Sequence, residues 1–521
     1  MKTTDDLFQL IKSLSKSEKG YFKKFASKYS STEKNISIRL FNVIDSQKAY
    51  NEKAILKKFE GQKISSKLSS YKNYLFNQIL KSLNSYHSEK SAVIKLNNLL
   101  TELGILFEKG LYKQYKNVLK KAINIAESQD LRYYLALLYS KELKYLVTDY
   151  YSAISEIKYE ELKNKINGNI DHIKLDESYQ ILYYELFILL KNISYIRTRQ
   201  DLEKLDKFMS NPLLTDFENA KSFNSRYHFY SIHGHYCRVT NDIENWFRYR
   251  KALLDLVAED PEYINLYPVN YISALNNFLN AAIHARKHNE FLTNIEKLKI
   301  FGKRFEGKKE YFDTAMRIFL LSADLELSYY INTCQYGMIS EVSDRVEKGF
   351  ENFSEKLIEN RKISVYNQLS YGFFINKEYD KSIFYINKII NAINIKVDPD
   401  QHSLARIRNL ILQFEAGNYD LLEYTVKSTK RFLSVRNRLY KFEKLIVDFV
   451  IKAINTTDKE KMQNLFENLH MQMLKISNDP FEKKALEMFD IVSWIESKIH
   501  NKEFSEILKS KDTRQILNPV M

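Results

Sequence analysis

The residues best suited to chemistry in this 521-residue chain cluster in three places. The run Gly302-Lys303-Arg304-Phe305-Glu306-Gly307-Lys308-Lys309 has the GxxxxGK spacing with which a glycine-rich loop cradles phosphates. Lys309 stands where that loop needs a Ser or Thr hydroxyl for magnesium, and residues 290–300 before it have a helical rather than a strand period. The run therefore reads as a turn after a helix. The second place is the stretch from Tyr227 to Cys237, with His228, His233, His235 and Cys237. His233 and Cys237 lie four apart, share one helix face and are donor types that bind zinc; the other reading is an ordinary core histidine and cysteine. The third is His284 and His288, four apart but without HExxH or a third ligand nearby. No GxGxxG, GxSxG or EF-hand loop occurs. The expectation is no catalytic residue, no cofactor and no metal, hence no enzyme.

Charge singles out a different kind of site. Residues 1–90 hold 18 Lys and Arg against 8 Asp and Glu, a net of +10 out of +15 for the whole chain. A basic N-terminal module on a nearly balanced body points to an anionic partner; the alternative is a solvated lysine surface. Residues 51–59, a turn at Gly61 and a helix over 65–83 have helix–turn–helix proportions. Leu68, Tyr71, Leu75, Ile79 and Leu83 make the apolar stripe of that last helix. Its other side offers Lys67, Ser70, Asn73, Asn77 and Lys81, with Lys72 as a further cation. Those side chains contact phosphates and base edges, so nucleic acid or another polyanion is one candidate partner. Shielding the apolar end of the body is the module's other reading.

The elements that position these residues follow from 12 Gly and 6 Pro in the whole chain. Gly and Pro break helices and build turns, so a chain so poor in both is all-α with short connections. Five of the six prolines follow Asp or Asn, at Pro212, Pro261, Pro399, Pro480 and Pro519. Asp or Asn caps a helix and Pro at the next position loses no hydrogen bond, so the first four pairs predict helix starts and the last a frayed tail. Ser15-Lys16-Ser17-Glu18 predicts a capping box. Cys237 and Cys334 are too far apart for a disulfide framework or a CxxC pair. The chain opens without an apolar signal core and has no run of membrane-spanning length, so the expected location is cytoplasmic, without membrane insertion.

From residue 93 a signal recurs: a turn with a small or polar residue, an aromatic or aliphatic residue two positions on, and an apolar residue three further. It is strongest at Gly110–Tyr112–Tyr115, Lys377–Tyr379–Ser382 and Gly417–Tyr419–Leu422, with weaker copies centred on Tyr151, Leu202, Ile243, Phe291, Met338, Lys459 and Phe504. Periods of this length mark stacked helix pairs. Over 366–390, Tyr366, Leu369, Ser370 and Phe373 stripe one helix, and Tyr379, Ser382, Ile386 and Ile389 stripe the next. Here the chain resembles the tetratricopeptide repeat family. Tyr230, His233, Gly234 and Cys237, followed by Ile243 and Trp246, fit the same template, as do Phe278, Ala281, Ala282 and Ala285, followed by Phe291 and Leu298.

The resemblance implies a right-handed superhelical solenoid of about ten antiparallel helix pairs over residues 93–521, after a basic helical N-terminal module over 1–92. It turns His233 and Cys237 into the core and places His228, His235, Arg238, Asn276, Asn280, Arg286, Lys287, Tyr330, Asn367, Gln368, Tyr371 and Arg408 on a concave groove. Such a lining suits a protein or peptide segment, because Arg and Asn fix carboxylates and backbone while tyrosine gives rigid contact area. The implied function is a non-catalytic scaffold or adaptor. The opening resembles helical-repeat proteins of bacteria. The order helix–turn–helix then repeats resembles peptide-sensing bacterial regulators, which makes a nucleic-acid-binding regulator the alternative.

Overall fold

Among the described residues, nine turns between helices share one backbone figure. Gly110, Asp130, Asn241, Arg286, Cys334, Lys377, Gly417, Asn437 and Asn501 all have positive φ. In each, the next residue returns its N–H to the carbonyl five positions back, as Leu111 does to Leu106, Lys287 to Ala282 and Glu378 to Phe373. This closes the preceding helix by satisfying an end carbonyl. In six of the nine the next helix starts two residues after the left-handed one, at Tyr112, Arg132, Ile243, His288, Tyr379 and Tyr419. The sequence signal at 110–112, 377–379 and 417–419 is this turn. Only two of the nine positions are glycine, so the turn is built mostly at a conformational cost of about 1 kcal/mol each, less for Asn and Asp. Arg286→Gly is accordingly expected to raise the free energy of unfolding by about 0.5–1 kcal/mol in urea titrations; a clear loss would contradict this backbone geometry.

The computed structural model describes residues 6–27, 36–88, 91–148, 154–191, 196, 198–308, 311–353, 359–392, 399–479, 481–482, 485–486 and 489–517. Among the described residues there are helices and no strand. None of these helices is long and apolar enough to cross a membrane. The densest packing joins helices adjacent in the chain, as between Phe223–Thr240 and Ile243–Ala258, or between Glu359–Ile375 and Tyr379–Ile390.

Two compact units form. The first comprises Met1–Glu177 with Gly307–Phe312, and the second Ser178–Glu306 with Asp313–Met521. Two apolar clusters lie among the described residues of the first unit. One gathers Leu7, Ile11, Phe22, Phe41, Ile55, Leu75 and Ile79 from the N-terminal helices. The other gathers Leu96, Leu103, Tyr115, Leu119 and Leu138 from the three helices Ala92–Glu108, Tyr112–Ser128 and Arg132–Thr148. The capping box forms as the residues imply: Glu18 N–H donates to Ser15 Oγ at 3.2 Å, and Ser15 N–H donates to the Glu18 carboxylate at 2.8 Å.

In the second unit Phe278, Ala281, Ala282, Phe291 and Leu298 lie in one buried cluster. Ser370 and Ser382 lock their hairpin from inside, Ser382 Oγ donating to Ser370 O at 2.6 Å. Asn211 and Asp260 cap the helices that Pro212 and Pro261 open. Pro399 opens another helix, while Asp398, Pro480 and Pro519 lie outside the described residues. Tyr151 also lies outside them, and between the centres at 151 and 202 one helix runs unbroken over Glu156–Leu190. No proline interrupts it, and Gly168 within it meets nothing within 4 Å of where a Cβ would sit.

Candidate functional site

The helix Ile243–Ala258 carries the residue on which a site forms. Trp246, Phe247, Leu253, Leu254 and Val257 make its buried stripe, and Arg250 occupies a position in that stripe. Its side chain is only 1% exposed. Room for it comes from Gly234 on the preceding helix Phe223–Thr240, where a Cβ would fall 2.7 Å from Arg250 Nε. Both Nε and Nη1 of Arg250 are buried with no hydrogen-bond partner. Burial, then the nearby Arg238 charge, draws the Arg250 pKa down to about 10, with Tyr183, Tyr227 and Cys237 as the other charge neighbours. No carboxylate is among them.

Around this guanidinium stand aromatic rings. Tyr183 lies 5.1 Å from His228 and 6.4 Å from His235, and Phe187 lies 5.1 Å from His235. Tyr227 is 5.5 Å from His228. Burial, followed by the charges of Arg250 and Arg238, holds the His235 pKa well below the usual imidazole range. His235 is therefore neutral at pH 7 and can donate or accept but adds no charge. Arg238 and Phe187 are exposed at the edge. The structure thus brings together His228 and His235, expected on the groove, and adds Tyr183, Phe187, Gly234 and Arg250. The signal for Arg250 was present in the sequence, as a cation at a core position of an apolar helix stripe opposite a mid-helix glycine.

His233 and Cys237 turn inward. His233 Nε2 pairs with Leu214 O at 3.0 Å, and its ring stacks 4.8 Å from Tyr249. Burial pushes the Cys237 thiol up to about 12, which keeps it protonated. Among the described residues, no group of three or more His, Cys, Asp or Glu is placed to hold a metal ion. In the glycine–lysine run, Gly302 ends a helix and packs against Ile318, Gly307 has a φ of 70°, and Lys309 lies outside the described residues.

The remaining groove residues divide. Asn367, Tyr371 and Arg408 come together: Arg408 Nη1 donates to Asn367 O at 3.0 Å, and its guanidinium lies 5.0 Å from the Tyr371 ring and 5.6 Å from that of Phe489. Arg408 is buried, and burial lowers its pKa to about 10. Arg408 is thus packed inside, while Asn367 and Tyr371 are half-buried beside it. Asn280 Nδ2 donates to Asn276 O at 2.9 Å on one helix face, and both residues are half-buried. Tyr330 is half-buried against Tyr329. Gln368 is half-buried as well. Arg286 and Lys287 are exposed but sit in the left-handed turn between two helices, because the preceding helix ends at His284.

On the N-terminal module, the helix Leu68–His87 shows Ser70, Asn73, Asn77 and Lys81 exposed along one side, with Tyr74 58% exposed among them and Lys67 exposed just before its start. Lys72 does not belong to that side. It takes a buried position in step with Leu68, Leu75 and Ile79, and its ammonium donates to Glu52 and to Tyr50 OH, each at 2.7 Å. Burial opposes its charge, but those two bonds win and raise its pKa. Lys19 is likewise engaged, 2.6 Å from Asp45. Part of the module's positive charge therefore ties its own helices together.

No protein-family model, no curated protein and no solved structure matches this chain.

Proposed function

We propose that this protein is a non-catalytic scaffold, a right-handed superhelix of antiparallel helix pairs that holds a protein or peptide segment along the face carrying His235, Arg238, Asn280 and Tyr330. The observation that carries this reading is the recurrence of one turn figure between helices packed on their chain neighbours. Such stacking buries one side of every pair and repeats the other, giving extended surfaces suited to a chain-like partner. Arg286 and Lys287 frame the end of a pair in this reading, and Arg408 with Tyr371 stiffens a later one. Photo-crosslinking tests it: a photoreactive residue at Asn280 or Tyr330 is expected to capture a segment of one partner, and one at Leu292, exposed on the next helix, to capture none.

A second reading, a nucleic-acid-binding regulator, draws on the exposed side of Leu68–His87. Phosphate contacts by Lys67 and Lys81 release counterions, so binding of residues on this side to a DNA duplex should weaken steeply with salt. Lys67→Ala with Lys81→Ala is expected to flatten the log K against log salt slope by about 2 in filter-binding titrations. Lys72→Ala, by contrast, should act on stability through Glu52. Absence of binding by the wild-type chain at low salt removes this reading.

A further inference from the structure

We propose that Arg250 is the seat of a site for a carboxylate-bearing ligand, bounded by Tyr183, Tyr227, His228 and His235 and reached past Phe187 and Arg238. A guanidinium keeps its charge in any protein environment and presents five donors in a planar fork. Leaving such a group buried and unpaired is costly, and natural chains meet that cost with a carboxylate or a bound anion. Here the charge neighbours of Arg250 are another arginine, two tyrosines and a thiol, while Nε and Nη1 have no partner. The sequence also gives up a side chain at Gly234, in the middle of an 18-residue helix, to admit the guanidinium. A ligand therefore supplies the missing negative charge.

The surroundings select its class. A single buried cation with a neutral imidazole beside it balances one negative charge. A planar carboxylate matches the fork in a bidentate pair, and of the two cations described here Arg250 is buried while Arg238 stays exposed, so one negative charge is met inside. The rings of Tyr183, Phe187, His228 and His235 pack on one another beside the guanidinium, an aromatic surround that suits an apolar body behind that carboxylate. Two sources share this chemistry: a small free acid and the C-terminal residue of a polypeptide. The inference does not depend on the scaffold reading, since small-acid binding can be measured whether or not a partner is captured.

The test is calorimetric titration of the full chain with benzoate at low ionic strength. One saturable site is expected, weakened by more than about tenfold in Arg250→Met and less in Arg250→Lys, which keeps the charge but loses the fork. Arg250→Met should melt no lower than the wild-type chain in anion-free buffer, because it removes an unpaired buried charge. An N-acetylated tripeptide with a free C-terminal carboxylate that displaces benzoate and binds more tightly than it assigns the site to a chain end; failure to displace benzoate assigns it to a small acid. The proposal is overturned by absence of saturable benzoate binding, by equal binding in Arg250→Met, by tighter binding of inorganic phosphate, or by a large loss of stability in Arg250→Met, which would reveal a protein partner for the guanidinium.

Discussion

Glu415→Ala is expected to lower the stability of the C-terminal helices by about 3 kcal/mol. The Glu415 side chain is 7% exposed and ends the helix Pro399–Glu415. One carboxylate oxygen accepts Trp494 Nε1 at 2.8 Å. The other accepts Lys498 Nζ at 2.5 Å and Tyr379 OH at 3.2 Å. Three helices thus meet on one group, and the Trp494 ring beside it sits among Phe414, Phe449 and Phe466. Alanine leaves the buried indole N–H without its acceptor, a cost of about 1–3 kcal/mol, and also ends the ion pair. Lys498 is 34% exposed and regains water, so its share is the smaller one. Glu415→Gln, which keeps the acceptor and loses the charge, should cost less than half as much. Tryptophan fluorescence during urea unfolding, recorded with Trp246→Phe in every variant so that Trp494 alone emits, reads the change. A glutamine variant as damaged as the alanine one would mean that charge, not the indole bond, holds this corner.

Gly234→Ala carries the second large effect, an expected loss of about 2 kcal/mol. A Cβ there falls 2.7 Å from Arg250 Nε and 2.8 Å from Cζ, and the arginine is too enclosed to swing away. The helix gains propensity from alanine, about 1 kcal/mol at most, which overpacking outweighs. Arg250→Met in the same chain should return most of the loss, since a flexible thioether adapts to the added methyl. The double-mutant cycle is expected to show a coupling of about 1–2 kcal/mol. Additive effects would place Gly234 and Arg250 apart and remove the physical basis of the carboxylate site.

These two expectations also show what the sequence could and could not yield. Helix content, the capping box at Ser15 and Glu18, and the helix starts at Tyr112, Tyr379 and Tyr419 were legible, because turn chemistry and capping act within a few residues. The repeat register places Arg286 on the groove, yet it is the left-handed residue of a turn. Nothing in an arginine announces positive φ; only the helix end at His284 does. Lys72, Arg250 and Arg408 share a more general difficulty. Each is a cation at a buried helix position: Lys72 in step with Leu68 and Leu75, Arg250 between Trp246 and Leu253, Arg408 between Leu404 and Ile411. Periodicity shows that such a residue is misplaced for its type. It does not show whether Glu52 waits nearby, as for Lys72, or an aromatic ring, as for Arg408, or no partner, as for Arg250. Those partners come from other helices, and one sequence does not pair them.

Photo-crosslinking in the native cell from Asn280, Tyr330 and Leu292, with the captured material identified by mass spectrometry, decides whether one face of this protein holds a chain segment. The same partner polypeptide, cross-linked through a short contiguous segment, is expected from Asn280 and from Tyr330, and none from Leu292. Equal capture from Leu292, or capture of unrelated chains from Asn280 and Tyr330, would contradict a dedicated face for a bound segment.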